Sequence, residues 1–285
     1  MDRNLLKTLT LAHLSVGAPP MDTIEAAAGA GFGAVGIRIC ARRPGEPFAT
    51  PVVGVPGQAA ALRRRARDLG VRLSNVSAYQ FYPEVDWPQM LPVIDVLAEL
   101  EVPVVVANSF DPDSARFTER FARYCERAAT VGARVALEFL PYSGVRTLEA
   151  ALAVVRDSGA VNAGLLLDAL HLQRSGSTPA ALRALPAEQV IFAQLCDAPA
   201  APGPMSDEQL LEEARHARLP PGEGGLPLHA FLDALPEGCE IEYEVARADM
   251  RERSPLDKAL AAAADAQRYL SAYRSRHALA AASGR

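Results

Sequence analysis

The chain has 285 residues, 49% of them hydrophobic and 22% charged, with a formal net charge of -5. This is ordinary globular composition, and the length suits two domains or one α/β barrel of about 250 residues. The acidic balance argues against a nucleic-acid protein, which carries a basic footprint, and no apolar run approaches the roughly 18 residues of a membrane span.

The opening stretch, MDRNLLKTLTLAHLSVGAPP, is interrupted by polar residues and reads as a first strand at 7–13, not as a signal peptide. A helix at 21–31 leads to a strand at 34–40, and the irregular segment 41–55 (ARRPGEPFATPVVGV) follows. A helix at 56–69, a strand at 72–78, a helix at 88–100 and a strand at 102–108 come next, then a helix at 114–131 and a strand at 133–139. Thr147 heads a helix at 147–158, with Glu149 suited to its first turn; a strand at 163–169 and a helix at 178–185 follow. After a strand at 190–196, the long segment 196–226 contains a helix at 206–216, and a second helix at 227–235 precedes the strand at 239–245. Ser254-Pro255 supplies a cap and an N1 proline for a helix at 255–274, and residues 275–285 read as a loose tail.

Eight βα units predict a closed (β/α)₈ TIM barrel, taken as a single domain over 1–285. The rival is a doubly wound open sheet, but no Gly-x-Gly-x-x-Gly follows the first strand. Cys40, Cys125, Cys196 and Cys239 lie far apart with no Cys-x-x-Cys pair, so reduced thiols and a cytoplasmic location are expected. His13, His171, His216, His229 and His277 are scattered, with no two at a helical metal-ligand spacing.

Barrel strands alternate their side chains between interior and exterior, and chemistry gathers at their C-terminal ends. In ARVALEF, Ala136 and Glu138 share a side; in AGLLLDA, Gly164, Leu166 and Asp168 do. Gln194 closes VIFAQ, and Glu244 closes CEIEYE with Glu242 two residues deeper on the same parity. Three clustered carboxylates repel unless something positive lies among them, and a divalent cation is the economical answer. Oxygen donors favour Mn²⁺, Mg²⁺ or Co²⁺ over zinc.

LEFLP (137–141), LLLDALHLQRSG (165–176), AQLCDAP (193–199), RLPPGEGGLPL (218–228) and EYEV (242–245) resemble the sugar phosphate isomerase/epimerase superfamily of xylose isomerase-like barrels, over essentially the whole chain. The resemblance implies one divalent metal held by Glu138, Asp168, Gln194 and Glu244, with Glu242 a competitor for the last place. Gln194 stands where the family has histidine, which is similar to the barrel domain of bacterial 3-dehydroshikimate dehydratases. The resemblance also implies that the histidine of Asp-x-x-His, His171, contacts a substrate oxygen from a loop it shares with Arg174. His13, Arg38 and Asn108 either line the pocket or cap the barrel, and the same two readings hold for Tyr79 and Tyr82 as pocket wall or aromatic packing. PPGEGG (220–225) lacks a nucleotide-loop ending and is expected to shape the site beside Arg218, while His216 and His229 read as structural.

The expected chemistry is that of a metal-dependent isomerase or epimerase of a sugar, sugar phosphate or related polyhydroxy carbonyl compound, acting through an enediolate with Glu138, Glu244 and His171 as catalytic groups. The alternative is a dehydratase of the 3-dehydroshikimate or keto-inositol type, in which the enediolate expels a β-hydroxyl. Arg38 and Arg174 suit an anionic substrate. The expected partner is a small molecule, not nucleic acid or a membrane, and a homo-oligomer is left open. An abasic-site endonuclease of this barrel group would need a histidine-rich trinuclear zinc cluster, and a barrel that only binds a sugar acid is the non-enzymatic reading.

Overall fold

Eight strands pair in sequence order, each parallel to the next, and the last closes on the first. They are β1 (Leu9–Leu11), β2 (Ala34–Arg38), β3 (Arg72–Ser77), β4 (Val104–Ala107), β5 (Arg134–Glu138), β6 (Ala163–Asp168), β7 (Val190–Leu195) and β8 (Glu240–Tyr243). This is a (β/α)₈ barrel, seen in a computed structural model that describes residues 3–200 and 203–283.

The principal helices after β1 to β5 are Pro20–Ala30, Gln58–Asp68, Trp87–Leu100, Ser114–Ala129 and Leu148–Ser158. Pro179–Leu182 precedes β7, Asp207–His216 and Leu228–Ala234 precede β8, and Pro255–Ser283 follows it. Local chemistry sets several of their starts. Asp86, Asp113 and Thr147 each accept a backbone N–H from three residues on, and Ser206 with Gln209 forms a reciprocal capping box. The Ser254 hydroxyl accepts the Asp257 N–H ahead of the Pro255 helix.

Three segments depart from the sequence reading. Two short helices, Arg3–Lys7 and His13–Val16, flank β1, so the strand is shorter than 7–13. Residues 169–174 form a helical turn, not a loop, because the Asp168 carboxylate caps it. Residues 275–283 continue the C-terminal helix, whose alanine-rich composition has high helix propensity; 284–285 lie outside the described residues.

The core has two layers, and they follow strand parity. Leu165 and Leu167, like Val135, Leu137 and Phe139, pack outward in the large cluster between sheet and helices. Val106, Ala136, Leu166 and Phe192 form a small separate cluster inside the barrel. Each fully buried aliphatic or phenyl side chain contributes roughly 1.5–3 kcal/mol. The inner layer is a floor: Asp168, two residues beyond Leu166, and Gln194, two beyond Phe192, stand above it at the C-terminal rim.

Candidate active site

The Asp-x-x-His spacing has a structural cause. Asp168 ends β6 and is the N-cap of the next turn, its Oδ1 accepting the His171 N–H at 2.9 Å. The cap folds His171 back over the rim, where its Nε2 lies 3.9 Å from Glu138 Oε1. Ligand atoms of Glu138, Asp168 and His171 all lie within 4.8 Å of one another. Glu138 is fixed from its other side: Asn108 Nδ2 donates to its Oε2 at 2.5 Å, Gln80 donates to Asn108, and the Tyr82 hydroxyl donates to Gln80.

Arg218 sits at the centre, 3% exposed. Its Nη1 is 2.5 Å from Asp168 Oδ2 and its Nη2 is 2.9 Å from Glu244 Oε2, so one guanidinium spans the ends of β6 and β8. Two features of the 196–226 segment put it there. Arg218 Nε donates to the Ala214 carbonyl at the end of helix Asp207–His216. Asp197 gathers the PPGEGG loop by accepting backbone N–H bonds from Gly222, Gly224 and Leu226. A side chain at Gly224 would collide with the Asp197 carboxylate, so the loop can close only over glycine.

Glu244 lies at the rim, one residue past β8, and its N–H continues the ladder to the Leu195 carbonyl. Glu242 is a layer lower and 2% exposed; Asn75 Nδ2 donates to its Oε1 at 2.9 Å and Gln194 Nε2 to its Oε2 at 2.7 Å. Register agrees, since Gln194 pairs with Asp168 on one side and Glu242 on the other. Gln194 Oε1 and His171 Nδ1 are buried without a hydrogen-bond partner.

The electrostatics follow from burial and crowding. Burial, then the charges of Glu244 and Asp168, pushes the Glu138 carboxyl well above its usual range. Burial likewise raises Glu244 to about 7 and, with Glu244 beside it, Glu242 to about 8. Burial would also raise Asp168, but Arg218 and His171 override it and hold that carboxyl below its ordinary value. Burial lowers His171 to about 4 and His13 well below its usual value, so both rings are neutral at pH 7.

The same cavity also carries basic side chains. Arg38, Arg42 and Arg215 line the same cavity as Glu138, Gln194 and Glu244. Burial and Arg42 lower Arg38 to about 10, and burial and Arg215 lower Arg42. Arg38 donates to His13 Nε2 and to the carbonyls of Cys40 and Ala78. Among the described residues no carboxylate forms an ion pair with any of these three arginines.

His13, Arg38, Asn108, Glu138, His171, Gln194, Arg218 and Glu244 thus line one cavity, and Asp168 reaches it through Arg218. Arg174 does not join them. Its guanidinium is held by both Glu213 oxygens at 2.7 Å and by the Pro199 carbonyl, turned away from the rim by the helical turn that begins at Asp168. Tyr79 and Tyr82 are also outside the lining: Tyr82 stacks on Phe110 under Arg43, and Gln80 between them faces the cavity. Arg42, Gln80, Tyr142 and Arg215 line it without having been singled out in the sequence. The Arg215 signal was hidden because a basic last turn is also what a helix dipole favours.

The residues fit a divalent cation: clustered carboxyls that repel one another, an imidazole, and an amide oxygen left without a partner in the same cavity. A family model described as xylose isomerase-like TIM barrel matches residues 24–272. The chain belongs to that family. Over 236 residues it is 28% identical to a 3-dehydroshikimate dehydratase of Pseudomonas aeruginosa, an alignment covering 78% of this chain and 35% of that protein. The chain spans about a third of the length of the curated relatives it matches. Among solved structures it resembles the IOLI protein with a bound zinc atom, at a TM-score of 0.75 and 19% identity, covering 93% of this chain and 98% of that one. An L-ribulose 3-epimerase matches at 0.68 and 16%, covering 95% and 97%. Likenesses at this identity speak for the fold. Among the described residues no helix is long and apolar enough to cross a membrane.

Proposed function

We propose that this barrel is a divalent-metal-dependent dehydratase of a hydroxylated cyclic keto acid, of the 3-dehydroshikimate type. The observation that carries it is that Arg38, Arg42 and Arg215 line the same cavity as the rim carboxylates, and among the described residues none of the three is ion-paired to a carboxylate. Burial and a neighbouring guanidinium lower both Arg38 and Arg42, and an anionic substrate relieves that strain where a neutral ketose cannot. The dehydratase relative from Pseudomonas aeruginosa supports a carboxylate as that anion.

Glu138, Asp168, Gln194 and Glu244 would hold the cation, in keeping with the partnerless Gln194 oxygen. Bound there, it would polarise the substrate carbonyl and offset the negative charge that gathers on its oxygen. Arg38, Arg42 and Arg215 bind the carboxylate and set the direction of the ring. His171, neutral and with Nδ1 free of any partner, exchanges a hydrogen bond with a substrate oxygen. The Glu138 carboxyl, raised by burial and by its carboxylate neighbours, can take the proton from the carbon beside the carbonyl and pass it to the departing β-hydroxyl, which leaves as water.

The test is to incubate Mn²⁺-loaded protein with 3-dehydroshikimate and follow ultraviolet absorbance, because loss of water makes the ring an aromatic dihydroxybenzoate. Arg42→Ala and Arg215→Ala should each raise KM by roughly tenfold to a hundredfold, the effect of losing a charge-assisted bond worth about 1.5–3 kcal/mol. No absorbance change with any divalent metal overturns the reading. The second reading, an epimerase of a sugar phosphate, is favoured by Glu138 and Glu244, two raised carboxyls at one rim. Uptake of solvent deuterium beside the carbonyl of a ketose phosphate, without loss of water, would decide for it.

A further inference from the structure

We infer that Glu242 is a positioning residue that fixes the amide of Gln194 so that its oxygen, and not its nitrogen, is left for the cation. The inference rests on the reading that a cation sits at this rim. An amide presents an oxygen and an NH₂ group of nearly the same shape. Only the oxygen can ligate a metal, so a glutamine ligand works only if something selects its orientation. Gln194 Nε2 donates to Glu242 Oε2 at 2.7 Å. Both Glu242 oxygens accept N–H bonds, the pattern of an ionised carboxylate and the form that a cation at the rim favours. Against that form the reversed amide would set oxygen on oxygen at the same separation, and two acceptors repel.

Glu242 is itself held in place. Its other oxygen accepts from Asn75 Nδ2 at 2.9 Å, and the side chain is 2% exposed. Gly36 of β2 leaves the room it occupies, since a Cβ there would collide with Glu242 Oε1 and press on the Asn75 amide. Glu242 therefore has no use at the rim, lying below Glu244, yet the barrel gives up a side chain on β2 to admit it. The partnerless Gln194 oxygen is the second observation: with the nitrogen engaged, Oε1 is the atom left over in a cavity lined by Glu138, His171 and Glu244. An outer carboxylate of this kind orients a ligand and raises metal affinity.

The experiment is a double-mutant cycle on Mn²⁺ affinity, measured by titration calorimetry and by the electron paramagnetic resonance signal of free Mn²⁺, with the melting midpoint of each metal-free variant recorded. Glu242→Gln should weaken Mn²⁺ binding about tenfold or more, because its own amide can face Gln194 with either group. Glu242→Asp keeps the charge but withdraws the carboxylate by one methylene, and should weaken binding as well. In a Gln194→Ala background neither change should weaken binding further. Unchanged affinity in Glu242→Gln and Glu242→Asp overturns the inference, as does an equal loss in the Gln194→Ala background. Wild-type protein that binds no Mn²⁺ overturns both this inference and the metal reading beneath it, whereas wild-type binding with indifferent Glu242 variants overturns this inference alone.

Discussion

Arg218→Ala is the most direct probe of how the rim carboxylates are held. The side chain spans Asp168 at 2.5 Å and Glu244 at 2.9 Å, and all three residues are buried. Truncation leaves two buried carboxylates facing Glu138 with no fixed counter-charge. Breaking a buried ion pair from one side costs about 3–5 kcal/mol. For a chain of this size that is a fall of roughly 6–10 °C in melting midpoint, at roughly 2 °C per kcal/mol. The same loss of positive charge makes the rim a stronger cation site. At a fixed Mn²⁺ concentration the midpoint of Arg218→Ala should therefore rise more than that of the wild type, since stabilisation grows with ligand concentration over Kd. Scanning calorimetry on chelator-dialysed and Mn²⁺-supplemented protein reads both quantities. Arg218→Lys should fall between, because one ammonium cannot span both carboxylates. A metal-free Arg218→Ala midpoint within about 2 °C of wild type, where several kcal/mol are expected, would show that Arg218 is not the counter-charge holding the rim. So would a smaller response to Mn²⁺ than the wild type shows.

The pH dependence of the metal-free protein has a definite sign. Glu242 and Glu244, raised to about 8 and about 7, bind more protons folded than unfolded, so they remove stability as pH rises. His171, lowered to about 4 from its ordinary 6.5, and the lowered His13 add stability with rising pH, but only up to 6.5. Between about pH 6.5 and 8 only the loss operates, so the midpoint should fall there and Glu242→Gln should flatten the slope; a rising midpoint contradicts the assignment. Gln194→His should tighten Zn²⁺ relative to Mn²⁺, since imidazole is the better ligand for it; equal affinities by competition titration would take residue 194 out of contact with the metal. Arg174→Ala, which strands Glu213, should lower the midpoint through a loss of about 3 kcal/mol while leaving KM for anionic substrates unchanged, and a selective rise in that KM would return Arg174 to the binding site.

The barrel and its rim could be read from the order of residues alone. Eight apolar runs of strand length, each followed by an amphipathic stretch, leave a closed parallel sheet as the arrangement that buries every run. A period of two then assigns each side chain to a face without further knowledge. Leu166 and Asp168 must share a side, and Leu165 and Leu167 the other, as the two core layers bear out. Glu138, Asp168, Gln194 and Glu244 were legible for that reason, being strand-end residues on the inner parity. Loops carry no such period, and their side chains are placed by the packing of the folded chain. That packing turned Arg174 onto Glu213 and brought Arg42 and Arg215 together from segments far apart along the chain. It also separated Glu242 from Glu244, which parity cannot do: depth along a barrel depends on stagger between strands, and the β7–β8 register sets Glu242 against Gln194 while Glu244 reaches Arg218 above.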